Sequence, residues 1–412
     1  MQAQPPVYII GAGVSGLIAA FELEQTGHRV VVLERSGVVG GRVKTVQAGG
    51  FDLDVGFQVL LSAYPLAQRY LDMEALNLRQ LASGALVYAG GTAHLIGDPL
   101  RDWKALLPTL LAGVGSIGDK LKILKLNKRM KAKSIEAIFM SSETTTQQYL
   151  KDFGFSPRII NRFFMPFLSG IFLEPDLRTS SRMFEFVYKM FGEGYATIPE
   201  GGIGAISNQL KAKLSRTEFR FNTEVSGVTS DHIQLASGES IPHEGVIIAA
   251  PPAPLLEGCK GEPTSWKSCM CVYFEVDRTN IPYETIALLA EPRQLSNNLY
   301  AYTDIASGKT VLSVTTLKYA GKPDQEVIGT IEKEIKRFAG VKRATFLHHF
   351  LIPQALPDRT DLRMTTAPED LLVQDKVVLA GDHLLNGSLN AAMESGYLAA
   401  QALQQQRQSA PH

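Results

Sequence analysis

Cysteine is nearly missing from this chain: three occur in 412 residues, Cys259, Cys269 and Cys271. Cys269 and Cys271 stand too close on one strand to bridge comfortably or to build a zinc knuckle, so a disulfide scaffold and a cysteine-held metal are both unexpected, and a reducing cytoplasm is the expected compartment. Net charge is missing as well. The 41 basic and 41 acidic residues cancel, leaving no global field to gather nucleic-acid phosphates, so nucleic acid is not an expected partner. No apolar run reaches the roughly 18 residues that cross a bilayer. The first residues, Met1-Gln-Ala-Gln-Pro-Pro6, lack the basic start and separate apolar run of a signal peptide and read as a native start. No internal repeat is found, and Gly113 to Lys120 lacks the Gly-Lys-Ser/Thr ending of a P-loop. Asn386-Gly-Ser388 has the form of a glycosylation sequon, which in an unsecreted chain is a coincidence.

What is present is an ordinary globular composition, 45% hydrophobic and 20% charged, long enough for two or three domains at roughly 150 residues each. Val7-Tyr-Ile-Ile10 is a short apolar run suited to a central parallel strand. It leads into Gly11-Ala-Gly13-Val-Ser15-Gly16 and then an amphipathic helix. Gly11 permits a tight turn, Gly13 lets backbone approach a pyrophosphate, and Gly16 lets helix lie on sheet; the helix start offers free N–H groups to the phosphates. A second strand, Arg29 to Glu34, ends in an acid placed to accept bonds from ribose hydroxyls. The following Arg35 and the segment Val38-Val-Gly40-Gly41-Arg42 add two more glycines and a guanidinium suited to charge-assisted bonds with a pyrophosphate.

Near the other end, Lys376-Val-Val-Leu-Ala-Gly381-Asp382 reads as a buried strand ending in glycine and carboxylate, and a helix opens around Ser388-Leu389. Between these ends, Leu76 to Tyr195 reads as mainly helical. Seven Lys or Arg residues lie between Asp119 and Lys133 among spaced leucines and isoleucines, a pattern that suits either an anionic membrane surface or a helix with a solvated face. Twelve of the 34 aromatic residues crowd into Tyr149 to Tyr195, enough for a large apolar pocket or a helical core. Gly201, Gly202 and Gly204 lack the preceding strand and third glycine of another dinucleotide loop, so a pyridine-nucleotide domain is not expected. Residues 256 to 350 alternate in strand-like runs such as Met270 to Val276 and Thr310 to Leu317, with a helix near Val327 to Phe338.

The Gly11–Gly16 loop, Gly40-Gly41-Arg42, the segment Gly50-Phe-Asp-Leu-Asp-Val-Gly56, the aromatic run from Arg162, Pro199-Glu-Gly-Gly and the Gly381-Asp382 to Gly396 stretch together resemble the FAD-dependent amine oxidase, protoporphyrinogen oxidase and phytoene desaturase superfamily. The resemblance covers nearly the whole chain. It implies an α/β fold: a discontinuous Rossmann-like FAD-binding domain (1–75, 196–255 and 363–412), a helical subdomain (76–195) that faces substrate or membrane, and a mixed antiparallel-sheet substrate domain (256–362). It implies FAD as cofactor. Gly56 would lie beside the flavin ring, Val225 would meet the adenine through its backbone, Asp382 would bond the ribityl or pyrophosphate, and the helix mouth at Ser388 and Leu389 would face the flavin's N1 and C2 carbonyl.

The implied reaction is removal of a hydride to flavin N5 and of a proton, forming a C=C or C=N bond in an apolar, polycyclic or polyene small molecule. Serine at 388 departs from the tyrosine that completes the aromatic cage of amine oxidases, which argues against simple monoamines. His349 and His383 are the expected proton acceptors. Two other readings stay open: redox-neutral polyene isomerisation, and a flavin-bound membrane adaptor without turnover. Peripheral membrane contact, if made, is expected through 103–140, at the inner face of a membrane.

Overall fold

The structure is a computed structural model describing residues 6–97, 115–253, 255–256, 265–291 and 293–409; Cys259 and the 103–114 part of the basic region lie outside them. Its first layer is a six-stranded sheet in the order β10 (Glu218–Arg220), β2 (Val30–Leu33), β1 (Val7–Ile10), β14 (Val246–Ile248), β21 (Val377–Leu379), β20 (Leu372–Gln374). Four of the five pairings are parallel, and only β20 runs antiparallel. Strands from the beginning, middle and end of the chain thus share one ladder. Because β1, β2, β14 and β21 are covered on both faces, every residue in them is buried, which is why they read as unbroken Val/Ile/Leu runs. On one face lie helices α1 (Val14–Gln25) and α8 (Leu389–Ser409). On the other lies a three-stranded antiparallel sheet, β11 (Val225–Val228), β12 (His232–Leu235) and β13 (Ser240–Pro242).

The second layer is a seven-stranded mixed sheet ordered β19 (Ala344–Asp358), β15 (Ser265–Val276), β18 (Thr310–Thr316), β17 (Ser296–Thr303), β16 (Ile286–Leu289), β7 (Gly84–Ala89), β8 (Thr92–Gly97). One face, carrying Met270, Val272 and Phe274, packs on helix α7 (Asp324–Phe338). The opposite face, carrying Cys271 and Tyr273, meets the hairpin β3 (Thr45–Ala48) and β4 (Phe51–Asp54). Here the helical reading from Leu76 onward is corrected. Residues 78–97 are strands: β6 (Leu78–Gln80) joins a small sheet with β5 (Leu60–Leu61) and β9 (Ala196–Pro199), while β7 pairs in parallel with β16, some 200 residues away in sequence. Ala85, Leu86, Val87 and Tyr88 are all buried, and a short strand covered on both faces shows no alternation to betray it.

The helical part begins at α3 (Ile117–Ala132), started by a reciprocal Ser116/Asp119 cap. It continues through α4 (Met165–Phe172) and α5 (Ser181–Glu193), whose aromatics meet each other and their neighbours ring to ring: Phe167 on Phe191, Phe167 on Phe163 of the preceding turn, and Phe186 on Tyr64. Among the described residues no helix is long and apolar enough to cross a membrane.

Candidate cofactor and substrate site

The two ends of the chain meet around one space. Gly11 turns at φ +102°, and a Cβ there would sit 2.8 Å from the Ala249 carbonyl oxygen. Gly13 precedes α1, and that helix starts with no side-chain cap and no acid in its first turn, so its N–H groups and positive end are unanswered by protein. Beside it runs the second glycine pair: Gly40 bridges Gly13 in parallel and donates its N–H to the Ala12 carbonyl at 2.8 Å, while a Cβ on Gly41 would approach the Gly13 Cα at 3.3 Å. The buried Glu34 carboxylate accepts from the Ala12 N–H at 2.8 Å and from the Ser36 N–H and hydroxyl at 2.9 and 2.8 Å. It therefore fixes the glycine loop itself. Arg35 is exposed beyond it.

Arg42 reaches across to the closing motif. Its guanidinium donates to the Asp382 carboxylate and to the Ala355 carbonyl oxygen (3.3 Å), and it lies 5.2 Å from the centre of the Trp266 ring. Trp266 also packs on His383, with ring centres 6.2 Å apart. The Gly381 N–H donates to the Ser395 hydroxyl oxygen, and a Cβ at Gly381 would strike the His383 imidazole at 2.2 Å, so the missing side chain makes the ring's seat. Ser388 caps the helix that follows: its hydroxyl accepts from the Ala391 N–H at 3.0 Å and donates to the Asn386 side-chain oxygen at 2.7 Å. No acid occupies the first turn of α8, whose second residue, Asn390, follows the half-buried Leu389. Where α8 crosses α1, a Cβ on Gly396 would stand 2.3 Å from the Ser15 carbonyl oxygen, so two helix backbones are in direct contact. Gly56 sits at φ +86°, with its would-be Cβ 2.8 Å from Ile352 of β19. Val225 lies under the parallel sheet with its side chain in the core.

His349 is corrected as a proton acceptor. It stands opposite Val272, on the face that packs against α7, and its Nε2 is 3.1 Å from the Asp324 carboxylate on that helix. The hairpin and Gly56 lie on the other face of the sheet. His383 stays at the site, and burial holds its imidazole below the ordinary value, which keeps it neutral.

A cofactor with two phosphates fits this arrangement on a structural observation. Among the described residues six buried side chains keep a polar atom without a partner, and two of them, His383 Nε2 and Asn390 Nδ2, lie in the nine residues from Asp382 to the first turn of α8. Three more are Arg79 Nε on β6, Ser169 Oγ on α4 and Thr315 Oγ1 on β18. Buried polar groups are nearly always paired in finished interiors, so the two unpaired atoms at the closing motif mark a place built to receive a ligand.

Beyond Phe57 opens a cleft of about 750 Å³, lined by Asp54, Phe57, Arg79, Tyr273, Tyr300 and Tyr302 among others. Phe57 and Tyr300 meet in its wall with ring centres 5.2 Å apart. Tyr273 and Tyr302 spend their hydroxyls on the carbonyls of Asp54 and Asp52. Burial pushes the Asp54 carboxyl up, although bonds from Thr45 and the Ile203 N–H pull the other way. Arg79, Trp266 and Asn390 escaped sequence reasoning. Arg79 lies in a stretch read as helix, and the other two gain their neighbours only through the tertiary fold.

Residues 14–404 match the family described as flavin containing amine oxidoreductase. Protoporphyrinogen oxidase 2, chloroplastic/mitochondrial, of Arabidopsis thaliana is 27% identical over 213 residues, which is 50% of this chain and 40% of that protein, so less than half of that relative's length is matched. An oxidoreductase from Methanosarcina mazei superposes at a TM-score of 0.71 with 18% identity, over 95% of this chain and 98% of that one. Cyclohexylamine oxidase from Brevibacterium oxydans superposes at 0.67 with 17% identity, over 98% and 99%. At such identities the structural likeness speaks for the fold alone, whereas the family match spans nearly the whole chain. The chain therefore belongs to the flavin-containing amine oxidoreductase family, and it is an FAD-binding oxidoreductase.

Proposed function

We propose that this enzyme removes a hydride and a proton from an apolar, multi-ring substrate that carries a carboxylate, leaving a new C=C or C=N bond. One observation carries the reading: the Arg79 guanidinium faces a tyrosine-lined cleft with its Nε shut from water and without an acceptor. A guanidinium fork matches a carboxylate in shape and charge, and a cleft of about 750 Å³ lies within the range that encloses small organic ligands. The Asp54 carboxylate lies near enough to Arg79 to interact with its charge, but a polyene hydrocarbon would offer the Arg79 Nε no acceptor, so the ring-bearing acid is preferred over both the polyene substrate and the polyene isomerase. The name of the Arabidopsis relative, a protoporphyrinogen oxidase, points the same way.

When bound, FAD supplies the hydride acceptor. The chain's own residues hold and orient. Gly11, Gly13, Ser15 and Gly16, with Gly40, Gly41 and Arg42, would present backbone donors and a guanidinium to the pyrophosphate; Glu34 would take the ribose, Val225 the adenine, and Gly381, Asp382, Ser388 and Leu389 the flavin end. Phe57 and Tyr300 would exclude water behind the substrate. The Cys269 thiol, pushed up to about 12 by burial, stays protonated and serves as a wall. His383, neutral and with a free ring nitrogen, is the closing motif's proton acceptor.

Arg79→Gln tests the reading. With protoporphyrinogen as probe, KM should rise at least tenfold with kcat little changed, while the dimethyl ester of the same probe should be indifferent. Equal behaviour of acid and ester would remove the carboxylate from the proposal. Attachment to an anionic membrane surface is a second, compatible element. Ile117, Leu121 and Leu124, 74%, 63% and 43% exposed, share one side of α3 with Lys125 and Lys128, as interfacial helices do. Leu121→Glu should abolish sedimentation with phosphatidylserine vesicles and leave turnover intact.

A further inference from the structure

The helix that closes the site, α8, carries on its second residue a side chain with no assigned role. Asn390 is wholly buried. Its Oδ1 accepts the Leu66 backbone N–H at 3.0 Å. Leu66 belongs to α2 (Pro65–Tyr70), which follows β5 and so continues the segment that starts at Gly56. The carboxamide thus spans two walls of the same cradle: the mouth of α8, and the chain that leaves the flavin-side glycine. With the oxygen fixed by Leu66, the amide nitrogen is turned away from α2, and no protein acceptor meets it. A wholly buried amide donor left unpaired is strongly unfavourable. The adjoining Ser388 hydroxyl, by contrast, is fully engaged, between Asn386 and the Ala391 N–H. Nothing in the first turn of α8 competes as an acid for the donor.

We infer that Asn390 is a positioning residue for the cofactor, its Nδ2 donating to the oxygen-bearing pyrimidine edge of the flavin at the mouth of α8. The inference rests on the proposed seating of the flavin between Gly56 and that helix. Negative charge gathers at this edge on reduction, so a fixed donor there, aligned with the positive end of a helix, favours the reduced cofactor over the oxidised one. Asn390 therefore sets how readily the flavin accepts electrons as well as how firmly it is held.

Asn390→Asp keeps an oxygen for the Leu66 N–H and replaces the donor by a second acceptor; Asn390→Leu removes the donor with no charge and no hydroxyl in its place. The midpoint potential of the bound flavin is measured in each holoenzyme beside its thermal midpoint. Both variants should become harder to reduce by at least tenfold in the two-electron equilibrium, about 30 mV, and bind FAD more weakly. A folded variant that keeps the wild-type potential within twofold would show that Asn390 merely fastens α2 to α8, and would overturn the inference. Glu34→Ala and Gly41→Val are titrated with FAD in the same series. Unchanged affinity in those two would instead show that the cofactor seat is misplaced.

Discussion

Single side chains decide how the loops around the cofactor are held. Glu34 accepts three hydrogen bonds, from Ala12 and Ser36, and so grips the glycine turn from the next strand. Glu34→Ala should weaken FAD binding at least tenfold in a titration of the deflavinated protein, since the Ala12 N–H loses its acceptor and the loop its anchor. His383 gives a pH signature. Its folded value is lowered by burial from the ordinary 6.5, so above that value both folded and unfolded forms are neutral and no stability is at stake. As pH falls below it, the unfolded chain takes up a proton that the folded site resists, and stability drops. His28 and His243 are lowered in the same sense, so the diagnostic quantity is a difference: His383→Asn should lose less of its thermal midpoint between pH 7 and pH 5 than the wild type does. Residues whose chemistry is local were legible in the sequence. Gly11, Gly13 and Glu34 sit in one strand–turn–helix–strand unit whose spacing brings them together. Arg79 was not legible, because its isolation depends on β6, β9 and β17 converging from three regions of the chain. His349 was misplaced for a related reason: alternation along β19 says that His348 and His349 face opposite ways, but only the packing of α7 decides which side is which.

Elements meet here through absent side chains. Gly396 lets α8 lie against the backbone of α1 at Ser15, and Gly16 lets α1 lie on the Gly11 turn, where a Cβ would stand 2.0 Å from the Gly11 carbonyl oxygen. Since backbone cannot swing aside as a side chain can, Gly396→Ala should destabilise the fold by roughly 1–3 kcal/mol in denaturant unfolding, and should loosen FAD as the two helix mouths part. The glycines were visible as motif members, yet the contact between α1 and α8 joins residues about 380 apart in sequence and is written in no local pattern. The strands β7 and β8 escaped similarly. The apolar run of β7 could serve either period, and pairing with β16 made the choice; β8 follows as its antiparallel partner at the sheet edge.

At the scale of the molecule, one parallel sheet is stitched from the beginning, middle and end of the chain, and Arg42 with Asp382 ties the two ends across the site. Such a closure leaves the cofactor as a shared ligand of distant segments, so its removal should lower the cooperativity of the whole and not of one lobe. A ligand present at a hundredfold its dissociation constant stabilises a fold by about 2.7 kcal/mol. Deflavination should accordingly depress the thermal midpoint and expose both chain ends to limited proteolysis together. The most direct measurement is calorimetric titration of the deflavinated protein with FAD, with FMN and with ADP. FAD should saturate at one per chain, ADP should compete at lower affinity, and FMN, which lacks the part proposed to sit at Glu34 and the glycine loop, should bind far more weakly than FAD. FMN binding as tightly as FAD, or ADP failing to compete, would contradict a cofactor stretched between the two helix mouths.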